Sequence, residues 1–424
     1  MRVLFTVFPG PSHLPPVVPL AWALQAAGHE VVLAGHPRMA ERISRAGLPA
    51  VALGEQEDLA ASVRACAADS RLDGITDPLG LGPEDEPRRI WIRNYLLSSF
   101  SHYYLTEQTG AVERPMTDEL VAFARDWRPD LVIWDPLFYP APIAARACGA
   151  AHARLLWGPD HIGWARARLA ELSAGPGEAP RDVMAELMAP VLAKFGCDFD
   201  EELLLGQFSL DPVLPALRLP VDLPYVQMQQ VPYSGGHILP EWLRKPPARP
   251  RVCLTLGMSQ GRPDAEGKNL VKGLLDAVAD LDVEVIATLT EGQRETAGVI
   301  PDNVRTADYV PFSHLMPSCS ALVHHGGGGT FAVAVAHGVP QLIAPREVDD
   351  HTIAALVADS GAGLVVDQEL ISATTLRAQL VSILEEPRFR EGAAALRDQM
   401  RAAPSPNDIV PRLEKLTAQH RTEA

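Results

Sequence analysis

The amino-acid sequence predicts an α/β protein made of two Rossmann-like domains, and three observations carry this prediction. Its 424 residues exceed one ordinary domain, on a scale of about 150 residues per domain. Apolar strand segments alternate with helix segments in two separate series. A proline-rich stretch over 211–250, which lacks helical periodicity, separates the two series and is typical of an interdomain linker.

The first series begins with a strand over 2–7, a helix over 16–27 that Gly28 ends, and a strand over 30–34. Continuous apolar strands of this kind are expected when helices cover both faces of a parallel sheet. The later segments of the series lie at 38–46, 51–53, 130–134, 140–148 and 152–156.

The second series follows the proline-rich stretch, and its loops match those of the first. Each series opens with a strand that runs into a small-residue loop, at 8–13 and at 257–261. Ligands of open α/β sheets bind beyond the carboxyl ends of the strands, so two sheets facing each other across the linker would form one deep cleft. Strands are predicted over 251–256, 283–289, 321–325, 340–344 and 364–366, with helices over 267–279 and after Gly329.

These patterns predict the domain boundaries. We expect an N-terminal domain over 1–215, a linker over 216–250 and a C-terminal domain over 251–400. Residues 401–424 are expected to form a C-terminal helix that packs back on the N-terminal domain.

Composition excludes several classes of protein. Hydrophobic residues make up 47% of the chain and charged residues 21%, which is typical of a globular protein with a core. A formal net charge of -16 argues against non-specific binding to nucleic acid or to an anionic membrane. No apolar run reaches the roughly 18 residues of a membrane span. A phosphate ligand would have to be held by backbone donors and helix ends, because the overall field repels it.

The five cysteines do not suggest a disulfide framework or a zinc site. Their number is odd, they are widely spread, and no C-x-x-C pair occurs. This favours a reducing cytoplasm as the location of the protein. The cysteines are Cys66, Cys148, Cys197, Cys253 and Cys319.

The strongest chemical signal is the segment HHGGGGT, from His324 to Thr330, between a predicted strand and a predicted helix. Glycines let the backbone approach a ligand, and the helix that follows offers free N–H groups and the positive end of its dipole. A flexible turn alone would not favour four glycines, since each costs roughly 0.5 to 1 kcal/mol of conformational entropy. The segment therefore predicts a phosphate site that needs no lysine.

With this motif the sequence resembles the GT-B glycosyltransferases, in particular the bacterial natural-product branch that carries H-H-G-G-x-G-T. The resemblance covers nearly the whole chain and is closest to enzymes that attach deoxysugars to polyketide aglycones. It implies a nucleoside-diphosphate sugar as co-substrate, with thymidine as the expected nucleoside and uridine as the alternative. It extends over 12–31, 128–136, 153–160 and 306–345.

The resemblance also implies roles for individual residues of the second series. Tyr309 would stack on the pyrimidine base, and the backbone of Val310 would pair with it; the alternative for Tyr309 is a core aromatic at a strand end. Ser259 would place a hydroxyl against the diphosphate, unless it only forms a turn. The diphosphate would be bound by His325, Gly327, Gly328, Gly329 and Thr330.

Asp349 and Asp350 align with an Asp-Gln pair that many relatives use to bind the hydroxyls of the donor sugar. A carboxylate accepts hydrogen bonds but donates none when ionised, so the sugar preference should differ from that of Asp-Gln enzymes. This change favours a donor with fewer or altered hydroxyls. The alternative is that the pair merely begins a helix, where acidic residues are favoured.

His13 is the candidate general base, because it lies in the loop at the carboxyl end of the first strand. Transfer to a hydroxyl requires removal of its proton, and a neutral imidazole suits that role near pH 7. A carboxylate normally orients such a histidine. Asp135, at the end of the predicted strand over 130–134, is the first candidate for this partner, and Asp160 is the second.

Two D-x-D triplets, at 198–200 and 280–282, raise the alternative of a divalent metal that holds the diphosphate. Each lies in an acidic, helix-like context and follows no strand, so we interpret both as solvated faces. The sequence thus predicts an inverting reaction without metal or bound cofactor, in which the glycine-rich loop stabilises the leaving group.

The aromatic segment over 88–105 is expected to enclose a large apolar acceptor, or else to be a buried core helix. The resemblance implies that a haem-less, cytochrome-like auxiliary protein docks in the same region. Whether the chain forms a homodimer is left open. Two other functions are also left open: a nucleotide-sugar epimerase on the same fold, and a catalytically silent partner of another transferase.

Overall fold

Parallel strands form a separate sheet in each half of the chain. The first compact unit comprises Met1–Val231 with Pro404–Ala424, and the second comprises Pro232–Ala403. The computed structural model describes residues 1–56, 75–103, 115–255, 265–345, 348–367 and 372–422.

The strands of the first unit are β1 (Arg2–Val7), β2 (Glu30–Gly35), β3 (Ala50–Ala52), β4 (Leu131–Trp134), β5 (Ala151–Leu155), β6 (Phe208–Asp211) and β7 (Tyr225–Gln227). They pair in parallel in the order β3-β2-β1-β4-β5-β6-β7. The order reverses between β1 and β4, and the crevice beyond the carboxyl ends at such a point is where open α/β sheets bind ligands.

Helices connect these strands and cover the sheet. Every residue of β4 and β5 is buried, as expected for strands with helices on both faces. Asp160 and Asp182 are the N-cap residues of two of the helices and accept backbone hydrogen bonds there. The helices are α1 (Val18–Ala26), α2 (Pro37–Arg45), α3 (Glu86–Tyr103), α4 (Met116–Trp127), α5 (Pro140–Cys148), α6 (His161–Ala174), α7 (Val183–Lys194) and α8 (Glu202–Leu205).

The second unit repeats the design with the order β10-β9-β8-β11-β12-β13, again parallel. Its strands are β8 (Arg251–Thr255), β9 (Glu284–Thr288), β10 (Val304–Ala307), β11 (Cys319–His324), β12 (Gln341–Ile343) and β13 (Gly363–Val365). Its helices are α9 (Ala265–Val278), α10 (Glu291–Thr296), α11 (Phe312–Leu315), α12 (Gly328–His337), α13 (Val348–Asp359), α14 (Ala373–Glu385) and α15 (Pro387–Ala402). The switch point lies between β8 and β11.

The last helix, α16 (Val410–His420), belongs to the first unit. Glu414 lies 3.1 Å from Nε2 of His29, and Arg421 forms an ion pair of 2.6 Å with Asp130. These contacts attach α16 to the amino-terminal edge of the first sheet.

The predicted α/β fold with two Rossmann-like domains is confirmed. One difference concerns the proline-rich stretch, which contains β7 as the edge strand of the first sheet. A strand of three residues directly after Pro224 gives too short an alternation to be predicted, and pairing with β6 supplies the missing information. The linker and the domain boundaries stay predictions.

The D-x-D triplets are solvated, as interpreted from the sequence, since all four aspartates are exposed, but they lie outside the helices rather than in a helix-like segment. Asp198 and Asp200 lie in a loop, where Asp200 forms an ion pair with Arg146. Asp280 and Asp282 lie in a turn, and Asp282 pairs with Arg249 at 3.0 Å. Turns favour aspartate as strongly as helix starts do. Within the described ranges, no group of three or more acidic, histidine or cysteine residues is arranged to hold a metal ion.

Two further expectations concern the cysteines and a membrane span. Cys148, Cys197, Cys253 and Cys319 are free thiols, and Cys66 lies outside the described residues. In the part of the chain that the structure describes, no helix is both long and apolar enough to cross a membrane.

Buried histidines make the stability of the protein depend on pH. Burial, assisted by the charge of Arg146, lowers the pKa of His152 to about 3. Burial and the charge of Arg88 lower the pKa of His161 to about 4. The unfolded chain, with an ordinary histidine pKa near 6.5, therefore binds more protons than the folded one from about pH 6 down to about pH 4. Stability falls as pH falls through this window.

His152→Leu is expected to remove part of this dependence. Among the residues that the structure describes, neither ring nitrogen of His152 has a hydrogen-bond partner, so leucine loses no polar contact there. We expect the free energy of unfolding of the first unit to be unchanged at pH 8, and its decline below pH 6 to become shallower by about 1 kcal/mol per pH unit. Urea unfolding at a series of pH values measures both; an unaltered pH slope would contradict the prediction.

Candidate active site

The glycine-rich segment follows β11 at the switch point of the second sheet. The chain turns at Gly326, whose φ of +116° is rarely adopted by residues with a side chain. A Cβ at Gly326 would also lie 2.7 Å from the Cβ of Asp350. Glycine is therefore required at this turn.

His324, the last residue of β11, fixes this turn through both ring nitrogens. Its Nδ1 accepts a hydrogen bond of 3.1 Å from the backbone N–H of Gly326. Nε2 therefore carries the proton and donates to Oε1 of Gln341 at 2.9 Å. Burial, with a contribution from His325, lowers the pKa of His324 to about 3, so the ring stays neutral. This supporting role of His324 cannot be predicted from the sequence, because Gln341 lies on a different strand.

Helix α12 begins inside the glycine run, at Gly328 rather than after Gly329. Gly327 is the N-cap, and its carbonyl accepts the first intrahelical hydrogen bond, 3.0 Å from the N–H of Phe331. The N–H groups of Gly328, Gly329 and Thr330 thus have no acceptor within the helix and lie at the positive end of its dipole. Apart from the helix's own backbone, no heavy atom of the described residues lies within 4 Å of a Cβ built on Gly328 or Gly329, which are exposed. An anion can approach these donors.

His325 lies directly against this helix start. Its side chain is almost fully buried, with 6% exposure. A Cβ at Gly327 would lie 2.6 Å from Nε2 of His325, so the absence of a side chain at Gly327 lets the imidazole approach the N-cap. The structure therefore brings His325 and the free N–H groups of α12 together.

Tyr309 and Val310 follow β10 and differ sharply in exposure. Tyr309 is 51% exposed and its hydroxyl donates to the carbonyl of Ser234, so the alternative of a core aromatic is wrong. Val310 is only 3% exposed and packs in an apolar cluster with Leu315. Its side chain is committed to the core, which leaves the backbone as the part that a ligand can contact.

The remaining predicted donor residues are only partly described. Asp350 lies near the start of α13, is 4% exposed and packs against Gly326. The side chain of Asp349 and the whole of Ser259 lie outside the described residues. Their predicted roles stay predictions.

In the first unit, His13 and Asp135 form a hydrogen-bonded pair. Nδ1 of His13 lies 2.6 Å from Oδ2 of Asp135, whose side chain is 1% exposed. The second carboxylate oxygen accepts the backbone N–H of Leu137 at 2.9 Å. Because an ionised carboxylate only accepts, Nδ1 is the donor, and Nε2 of the neutral ring keeps its lone pair. The arrangement can accept a proton at Nε2.

Two aromatic rings and a glycine surround the His13 imidazole. Phe8 lies 5.1 Å from it between ring centroids, and Trp157 lies 4.9 Å away in an edge-on orientation with an interplanar angle of 79°. A Cβ at Gly10 would lie 2.5 Å from Cδ2 of His13, so only glycine allows the imidazole to fold back over its own loop. Sequence analysis did not identify Phe8 or Trp157 as neighbours of His13.

Asp160, the second candidate for the partner of His13, is engaged elsewhere. Arg154, fully buried on β5, donates to both carboxylate oxygens of Asp160 at 2.9 and 2.6 Å. The hydroxyl of Tyr225 and the N–H of Gly163 also donate to Asp160. Burial alone would raise the pKa of Asp160, but Arg154 and these hydrogen bonds lower it. The sequence signal for this ion pair is Arg154 itself, a charged residue within the apolar strand segment HARLL, which indicates a buried acidic partner.

The aromatic segment over 88–105 is helical up to Tyr103 in α3. Trp91 is buried and its ring lies 3.8 Å from the ring of His161. Ser99 donates to the carbonyl of Leu137 at 2.9 Å, two residues after Asp135. These contacts show that α3 is packed in the first unit; its role in binding an acceptor stays a prediction.

Comparison with known proteins gives matches along nearly the whole chain. A model described as erythromycin biosynthesis protein CIII-like, N-terminal domain, matches residues 22–257, and the corresponding C-terminal domain model matches 272–416. The chain is 42% identical over 431 residues to the aclacinomycin-T 2-deoxy-L-fucose transferase of Streptomyces galilaeus, covering 100% of this chain and 98% of that protein. It is 42% identical over 426 residues to the 10-deoxymethynolide desosaminyltransferase of Streptomyces venezuelae, covering 99% and 98%.

Solved structures of glycosyltransferases also match the chain along nearly its whole length. Spinosyn forosaminyltransferase SpnP is 41% identical with a TM-score of 0.81, and the match covers 99% of each chain. The glycosyltransferase VinC, solved in complex with dTDP, is 38% identical with a TM-score of 0.83, covering 99% of this chain and 100% of VinC.

Proposed function

This chain belongs to the erythromycin biosynthesis protein CIII-like family and is a glycosyltransferase, and we propose that it transfers the deoxysugar of a dTDP-deoxysugar donor to a hydroxyl of a polyketide aglycone. The observation that carries the donor class is the exposed start of α12, where three backbone N–H groups and His325 surround an accessible glycine surface. The relatives described above transfer 2-deoxy-L-fucose and desosamine, which supports a deoxysugar donor, and the dTDP complex of VinC supports thymine as the base.

The proposed reaction is a direct displacement that inverts the anomeric carbon. His13 accepts the acceptor hydroxyl proton at Nε2 while the acceptor oxygen bonds to the anomeric carbon and the bond to the diphosphate breaks. Asp135 holds the ring through Nδ1 and stabilises the imidazolium that forms. His325 and the α12 N–H groups stabilise the charge that develops on the departing diphosphate. No covalent enzyme intermediate is needed.

The proposal includes independence of divalent metal and of a bound cofactor. Its support is chemical: backbone donors and a helix dipole can carry the charge of the leaving group, and Asp200 and Asp282 are already engaged by arginines. Transfer should therefore continue in excess EDTA. A loss of transfer that Mg²⁺ restores would contradict this part of the proposal.

Sugar choice is assigned to the acidic pair Asp349 and Asp350. Neither side chain can donate a hydrogen bond when ionised, which supports a donor with fewer or altered hydroxyls. Asp350→Asn restores an amide donor and tests this assignment in competition between a dTDP-deoxysugar and dTDP-glucose. No change in the ratio of the two products would remove Asp350 from it.

The enzymatic test uses the purified full chain, a dTDP-deoxysugar and a macrolactone or anthracyclinone acceptor. We expect a glycosylated product with inverted anomeric configuration by NMR. The proposal allows for an auxiliary protein and leaves the oligomeric state open, so the assay is repeated with a cytochrome-like auxiliary protein and across protein concentrations. Isomerised donor without transfer would instead support the epimerase alternative, and no turnover under any of these conditions would support the silent partner.

Gly329→Asp tests the anion site alone. An aspartate in the first turn of α12 has open space and favours the helix dipole, so stability should be unchanged or higher. Its charge should repel a diphosphate, and we expect the Kd of thymidine diphosphate to rise at least ~10-fold. Gly329→Asn is the matched control, with nearly the same shape and no charge. Equal Kd values for the two variants, measured by calorimetry, would refute the site.

A further inference from the structure

The hydrogen bond to Asp135 does not by itself determine where Nε2 of His13 points. That bond restrains one ring atom, and the imidazole can still swing about the axis from Nδ1 to Oδ2. General-base catalysis requires the accepting nitrogen within hydrogen-bond reach of the acceptor hydroxyl. A second contact must therefore limit the orientation of the ring.

Trp157 makes such a contact from a distant part of the chain. Its ring meets the His13 ring edge-on at 4.9 Å, the geometry that aromatic pairs prefer. Phe8, the other aromatic neighbour within the described ranges, belongs to the same loop as His13 and can move with it. Trp157 lies after β5 and does not belong to that loop, so it can restrain the His13 ring when the loop moves.

The segment that carries Trp157 is held at both ends. At one end the N–H of Leu156 donates to the carbonyl of Leu210 on β6 at 2.9 Å. At the other end Asp160 accepts both guanidinium hydrogen bonds of Arg154, which also donates to Ser209. Arg154 is 0% exposed, so this ion pair lies in the core of the first unit.

The intervening residues add little freedom. Only Trp157, Gly158 and Pro159 lie between the two anchors, and the proline ring fixes one backbone torsion and restricts the residue before it. The N–H of His161 donates to the carbonyl of Pro159 at 2.9 Å, which closes the turn into α6. A large indole on so short a tethered segment has little room to move.

We propose that Trp157 is a positioning residue for His13, and that the Arg154–Asp160 ion pair anchors the segment that carries it. This inference rests on the proposed function, in which His13 is the general base. Trp157 makes no chemical step of its own; it holds the imidazole so that Nδ1 faces Asp135 and Nε2 faces the acceptor. The sequence signal is the run from Arg154 to Asp160.

The test compares Trp157→Leu with Trp157→Phe. Leucine removes the aromatic face, and we expect kcat to fall about 10-fold while the KM for the donor stays within about 2-fold, because the loss is in orientation of the base. Phenylalanine keeps an aromatic edge contact and should stay within about 3-fold of the wild-type kcat. Trp127→Leu, at the end of α4, is the matched control and should leave kcat unchanged.

Nitrogen-15 NMR of the histidine rings gives a readout that does not depend on turnover. In the wild-type protein at pH 8 the His13 ring should give sharp signals of a single tautomer protonated at Nδ1. In Trp157→Leu the tautomer should persist, because Asp135 still accepts from Nδ1, but the signals should broaden as the ring samples several orientations. Wild-type kcat together with unaltered His13 signals in Trp157→Leu would overturn the inference.

His13→Ala in the same series separates this inference from the proposed function. If His13→Ala keeps full activity, His13 is not the general base. The proposed mechanism and the positioning role of Trp157 are then both refuted. If His13→Ala is inactive while Trp157→Leu matches the wild type in kcat and in NMR, only the positioning role of Trp157 falls.

Discussion

His13→Ala is expected to lower the rate of sugar transfer at least ~100-fold, because it removes the group that accepts the acceptor proton. The loss should appear in kcat with saturating donor and acceptor. Binding of thymidine diphosphate should be unchanged, since the proposed diphosphate site lies in the second unit. Product formation followed by chromatography, with calorimetry for the nucleotide, measures the two quantities.

Asp135→Asn is the companion variant for this prediction. The amide is nearly the same shape as the carboxylate but can present its NH₂ group to Nδ1, which would place the proton on Nε2 and block its role as a base. We expect a loss comparable to that in His13→Ala. Full activity of His13→Ala would remove His13 from the mechanism, whatever the result for Asp135.

Asp160→Ala is expected to destabilise the first unit by about 3–5 kcal/mol, because it leaves the guanidinium of Arg154 buried without a counter-charge. Arg154 is fully buried and keeps only the hydroxyl of Ser209 as a described hydrogen-bond partner. The variant also removes the N-cap of α6 and the acceptor for Tyr225. Urea unfolding at neutral pH gives the change in free energy.

Asp182→Ala is the matched control for this variant. Asp182 is likewise an N-cap aspartate, at α7, and pairs with the buried arginine Arg166. Arg166 also pairs with Glu201, so it keeps a counter-charge when Asp182 is removed. We expect a cost of about 1–2 kcal/mol, which is the range for losing a cap. Equal costs for the two variants would show that the buried charge of Arg154 is not the dominant effect.

The two buried aspartates Asp135 and Asp160 show which contacts of the candidate site can be predicted from the sequence. Asp135 can be predicted as the partner of His13, because His13 lies in the loop after β1, Asp135 follows the end of β4, and parallel strands share their carboxyl edge. Asp160 is a second candidate on the same ground, since it lies in the segment that follows β5. Its engagement by Arg154 depends on the register of β5 with β6, in which Arg154 lies opposite Ser209.

In the glycine-rich segment, too, some features can be predicted from the sequence and others depend on strand pairing. Its place between a strand and a helix, and its suitability for an anion, follow from residues that are neighbours in the chain. The support of the turn by His324 and Gln341 does not, because these residues lie on adjacent strands whose pairing is set by the sheet.

Local patterns in the chain are enough to predict the α/β class, the two series of strands and the loop at the start of α12, because periodicity and glycine runs involve neighbouring residues. Three other features follow only from the folded chain: Trp157 contacts His13, Arg154 holds Asp160, and a proline-rich segment forms an edge strand. These depend on the order and register of strands far apart in sequence, and no local pattern records which side chains such pairing brings into contact.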